Sequence, residues 1–123
     1  MSRTLRSKEY LEFVRAHPCL VTDQELDVVA HHCRHKPHGG GMALKPSDYR
    51  TVPLIPIEHA RLHQTGEKSY WTKAQIIPEI AMADMLCDWM RIKYKVKIPQ
   101  VHTLETAIPY IESIENFIAS RDS

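Results

Sequence analysis

Apolar and polar positions along the chain repeat in two rhythms, and each predicts a different kind of element. Ser7 precedes KEYLEFVRA, in which Tyr10, Leu11, Phe13 and Val14 offer apolar contacts. This predicts a helix over 8–16, capped by Ser7 and ended before Pro18. LDVVA (26–30) is a short β-branched run and predicts a strand that delivers His31 and His32 at its end. Pro37, Gly39, Gly40, Gly41 and Pro46 punctuate 35–48, which predicts a loop. Tyr49 to Leu54 predicts a second strand, followed by a turn at Pro56 and a short helix over 57–64 that Gly66 stops.

The rest of the chain carries the three-to-four-residue rhythm. Thr72 with Gln75 has the form of a capping box and leads into Ile76, Ile77, Ile80, Met85, Leu86, Trp89 and Met90, with Pro78 near the start. Beyond Pro99, Leu104, Ile108, Ile111, Ile114 and Ile118 form a second stripe, with Pro109 near its front. Both stripes predict core-facing helices, as do the positions of Trp71 and Trp89. Two strands among several helices make the expected class α+β.

Composition narrows the picture. A chain of 123 residues with 43% hydrophobic residues predicts one globular domain, 1–123, able to fold without a disulfide or a metal. Cys19, Cys33 and Cys87 are odd in number and form no CxxC pair, which suits a reducing compartment. The N-terminal MSRTLRSKEYLEF lacks the apolar stretch of a signal peptide and no run approaches a membrane span, so the expectation is a cytoplasmic protein with no membrane partner. Net charge is only +1, but the middle of the chain is mildly basic, while 99–123 holds Arg121 against Glu105, Glu112, Glu115 and Asp122. A basic middle can draw a polyanion, although solvated faces explain it equally well.

The chemistry is concentrated in histidine. AHHCRHKPHGGG (30–41) holds His31, His32, His35 and His38, and His59 and His63 follow at a four-residue spacing. Residues four apart share one side of a helix, so His59 and His63 can meet one ion. Adjacent strand residues point to opposite faces, which gives His31 and His32 different tasks. Cys33 directly after the pair leaves open a closed structural site with a thiol as fourth ligand. His35 and His38 read as loop histidines.

The order strand, HH, glycine loop, strand, helix with HxxxH resembles the HNH (ββα-metal) endonuclease superfamily. In its histidine pattern it is similar to the nuclease colicins. The stretch GGGMALKPSDYRTVPL followed by HxxxH further resembles phage-borne HNH proteins of the recombination-enhancement (Ref-like) type. The resemblance covers about 18–66 as the finger core, with a C-terminal helical part over about 72–120. It implies a ββα-metal finger flanked by one N-terminal and two C-terminal helices, in which His31, His59 and His63 hold one divalent ion and His32 is the general base. The implied activity is hydrolysis of DNA phosphodiesters in a bacterial or phage-infected cell, in recombination or DNA processing and with a recombinase filament as a conceivable partner. Magnesium, manganese, nickel and zinc all remain open for three imidazoles. Arg34, Lys36, Lys45 and Arg61 are candidate phosphate contacts.

Two departures from that pattern matter. Cys19 lacks its partner cysteine, and Ile55 and Glu58 stand where related fingers carry thiols, so no structural zinc is expected. The middle asparagine is replaced by Arg50, with Asp48 two residues earlier. Asp48 could orient the loop instead, and Arg50 could orient it or contact phosphate. The alternative function is a catalytically inactive, metal-stabilised module that binds DNA or a recombinase.

Overall fold

The computed structural model describes residues 5–34 and 46–122. Its first helix, α1 (Lys8–Arg15), starts where Ser7 accepts a hydrogen bond from the Tyr10 amide at 3.1 Å. Two four-residue strands follow, β1 (Val29–His32) and β2 (Thr51–Leu54), and pair antiparallel with His31 opposite Val52 and His32 opposite Thr51. β1 begins later than the pattern predicts: Asp27 takes a left-handed conformation (φ 59°) and Leu26 is 77% exposed, so 26–28 lie outside the ladder and both histidines lie inside it. β2 contains Pro53, which a two-stranded ladder tolerates because its second edge asks for few amide donors.

Helix α2 (Pro56–Thr65) follows β2 directly, with Pro56 in its first turn in place of the expected turn. Gly66, at φ 98°, ends α2 and begins α3 (Glu67–Ala74), a helix absent from the sequence reading. The expected capping box fails for that reason. Thr72 lies inside α3, its hydroxyl bonded to the Lys68 carbonyl at 2.9 Å, and Gln75 is the left-handed residue that closes α3. Helix α4 (Pro78–Tyr94) then starts at Pro78, and α5 (Leu104–Asp122) carries Pro109 on an exposed position. Three helices therefore follow α2, where the sequence predicts two.

The core lies where α4 packs against α5 and β2, with α1 across both strands. Val52 and Leu54 from β2, Met82, Leu86 and Met90 from α4, and Ile111 and Ile118 from α5 are all buried in it. Tyr10 sits against Tyr49 and Trp89, its ring centroid 4.8 and 5.3 Å from theirs. Trp71 and Trp89 are buried as expected. The class is α+β, with five helices about a two-stranded sheet among the described residues. Among the described residues no helix is long and apolar enough to cross a membrane.

Candidate metal centre

His31 and His32 leave β1 on opposite faces and enter different surroundings. His31 is buried and turned toward α2, its ring centroid 5.1 Å from that of His59 and 5.8 Å from that of His63. On α2 the His59 and His63 rings face each other with their Nε2 atoms 3.1 Å apart. One ligand nitrogen from each of the three histidines lies within 4.8 Å of the other two. Two nitrogens on a tetrahedral zinc at the usual bond length are separated by about 3.3 Å, so the α2 pair already has the required span. Burial, followed by its neighbours His31 and His63, lowers the pKa of His59 against the opposing pull of Glu67, which favours the neutral ring a metal needs.

Glu67, in the first turn of α3, joins this cluster from the other side. Its carboxylate accepts from His31 Nε2 at 2.9 Å, from the Arg34 amide at 3.0 Å and from the Trp71 indole at 2.7 Å. Burial alone would raise its pKa, but these bonds, led by His31, bring it down to about 2. A carboxylate on one ring nitrogen fixes the tautomer of a histidine and strengthens the other nitrogen as a donor to metal. Cys33, two residues beyond His31 on the same side of the chain, groups with His31 and Glu67, and its ligand atom also lies within 4.8 Å of theirs. Burial, then Glu67 and Glu79, push this thiol well above its ordinary value.

His32 turns away from the cluster. Its Nε2 donates to Asp48 Oδ1 at 2.8 Å, and both side chains are nearly buried. Asp48 is itself fixed by the Arg6 guanidinium at 3.2 Å and the Ser7 amide at 2.8 Å, just ahead of α1. A proton held on Nε2 makes Nδ1 the basic nitrogen of His32. Glu115 of α5 holds the segment around Asp48 from behind, accepting from Ser47 Oγ at 2.6 Å and from two nitrogens of Arg50 at 3.0 and 2.8 Å.

The family model described as "Protein of unknown function (DUF968)" matches residues 2–92. The chain belongs to the DUF968 family. No curated protein and no solved structure matches it. The DUF968 match spans His31, His32, Asp48, His59, His63 and Glu67 and ends before α5, so the Glu115 support lies outside it.

Of the residues singled out in this DUF968 chain, His31, His59 and His63 come together, and Asp48 meets His32. The Arg50 guanidinium is buried and bound by Glu115, which ties α5 to the Asp48 segment and leaves it poorly placed for a phosphate contact. Arg34 and Arg61 are exposed, the latter paired with Glu58 at 2.8 Å. Glu58 also accepts from the Tyr70 hydroxyl and so links α2 to α3. Lys36, Lys45, His35, His38 and the glycine run lie outside the described residues. Sequence reasoning missed Glu67 and Glu115. Glu67 continues the four-residue spacing of 59 and 63, but Gly66 breaks the helix between them, so that spacing does not account for its place at the site.

Proposed function

We propose that this DUF968 chain is a metal-dependent DNA endonuclease of the HNH type, using one divalent ion and a histidine base. The observation that carries this reading is the divergence of two adjacent residues, His31 toward His59 and His63, and His32 toward Asp48. A purely structural site has no use for the second of them. The geometry of β1, β2 and α2, with the imidazoles at the strand end and on the helix, supports assigning the segment as a ββα-metal finger.

His31, His59 and His63 are the residues that would hold the ion, and their nitrogens fit one. When bound there, a divalent cation supplies Lewis acidity to the phosphate and to the departing oxygen. Being neutral, the three imidazoles leave its charge undiminished. His32 Nδ1 takes a proton from water as the water oxygen bonds to phosphorus. The bond from phosphorus to the 3′ oxygen breaks, and that oxygen takes a proton from solvent. Asp48 stabilises the resulting imidazolium and keeps the ring from turning. The products expected, as in the HNH nucleases that the sequence resembles, are a 5′-phosphate and a 3′-hydroxyl. DNA is the proposed partner, with the exposed Arg34 and Arg61 as candidate phosphate contacts. The proposed setting is the cytoplasm of a bacterial or phage-infected cell, in recombination or DNA processing.

Incubation with supercoiled plasmid and magnesium, manganese, nickel or zinc tests the proposal. Nicking is expected, and it should vanish in His32→Ala and His59→Ala. A protein that binds metal and DNA but cuts duplex, single-stranded and branched DNA with none of these ions would be the inactive binding module.

A further inference from the structure

We propose that His31, Cys33 and Glu67 form a second cation site, selective for thiophilic ions such as zinc and cadmium, which shares His31 with the three-imidazole cluster and is occupied in alternation with it. His31 and Cys33 are two residues apart on one extended segment and so project to the same side. Glu67 reaches them from the first turn of α3, its carboxylate already 2.9 Å from His31 Nε2. The three ligand atoms lie within 4.8 Å of one another, and His31 and Cys33 are buried.

The two sites treat an ion in opposite ways. A thiolate and a carboxylate together neutralise a divalent cation, which suits a buried place where uncompensated charge is costly. Three imidazoles leave the same cation with its full charge beside solvent-exposed His63. The inner set, with one sulfur, one nitrogen and one oxygen, matches zinc or cadmium and repels no soft ion, whereas magnesium has little affinity for sulfur. Binding releases the Cys33 thiol proton to solvent and shifts the ring proton of His31 from Nε2 to Nδ1. A neutral imidazole has one nitrogen lone pair to give, so His31 serves one ion at a time.

Binding at the inner site does not require that the outer one catalyse any reaction. Its consequence for activity rests on the nuclease reading above: a thiophilic ion captured inside removes His31 from the outer cluster and stops cleavage. The full chain, kept reduced with a phosphine, is titrated with cadmium while thiolate-to-metal absorption is followed in the near ultraviolet. One equivalent should raise the band in the native protein and in a His59→Ala/His63→Ala variant, and Cys33→Ser should abolish it. Glu67→Gln, which keeps the hydrogen-bonding shape, should weaken cadmium binding by roughly tenfold or more, and it decides the matter should Cys33→Ser not fold. No band in the native protein, a band that survives in Cys33→Ser through Cys19 or Cys87, a band lost with His59 and His63, or unchanged affinity in Glu67→Gln would each overturn the site. In a parallel arm, cadmium should block manganese-supported nicking in the native protein and spare it in Cys33→Ser; nicking in native protein that carries the band overturns the alternation. If the band behaves as expected and no nicking occurs with any ion, the nuclease reading falls and the inner site stands.

Discussion

His32 Nε2 and Asp48 Oδ1 lie 2.8 Å apart, and this one bond joins β1 to the segment that α1 and α5 both brace. It fixes the orientation and tautomer of a histidine at a strand end, on which the proposed proton abstraction depends. Replacing Asp48 with alanine should lower the nicking rate by at least about tenfold while manganese affinity, read by calorimetry, stays within about twofold. His32→Ala should remove roughly 10²–10⁴-fold of the rate, again without loss of the ion. Equal losses of rate and metal affinity would place His32 among the ligands instead.

The opposite split is expected on α2. His59→Ala or His63→Ala should abolish the stabilisation that nickel or zinc gives the native protein. At a concentration one hundred times the dissociation constant that stabilisation is about 2.7 kcal/mol, readable as a rise in melting temperature. His32→Ala should keep the rise.

Glu67 acts on His31 and holds two further donors. Glu67→Ala should weaken manganese binding by roughly tenfold to a hundredfold. It also strips a partner from the buried Trp71 indole, at about 1–3 kcal/mol for a group left unsatisfied, and from the exposed Arg34 amide, which water can serve instead. Metal titration and urea denaturation separate the two effects, and Glu67→Gln should recover more of the stability than of the metal affinity.

Glu115 is far from the histidines in sequence and bears on them through Ser47 and Arg50, which flank Asp48 in the chain. Glu115→Ala leaves the Arg50 guanidinium buried without its carboxylate and should cost roughly 3 kcal/mol in urea unfolding. Nicking should slow with manganese affinity unchanged. The double variant Arg50→Met/Glu115→Leu, which removes both charges together, should recover most of the stability.

Much of the site was legible because its signals are local. The i, i+4 histidines on α2 and the alternating faces of β1 follow from the repeat of helix and strand alone; which of His31 and His32 turns toward α2 does not follow from spacing, and the structure places His31 there. The helix after Ser7 and most of the buried stripes of α4 and α5 were equally plain, although Ile77 and Leu104, at the starts of those stripes, are exposed. What escaped depended on conformations or pairings that the pattern does not encode. Asp27 in a left-handed turn delays β1. Gly66 reads as a stop but also opens α3, whose short apolar pair, Tyr70 and Trp71, makes no long stripe. The bond between Arg50 and Glu115 spans 65 positions, and no local rule selects that partner among the acidic residues of the tail.

Gly66 does more than separate two helices. Had α2 run on straight, Glu67 would ride about 12 Å up the axis from His59, out of reach of the strand. The corner at φ 98° folds the chain back and returns that carboxylate to His31. A methyl group there would meet no atom within 4 Å, so the cost of adding one is torsional, and its price is the direction in which the next helix sets out.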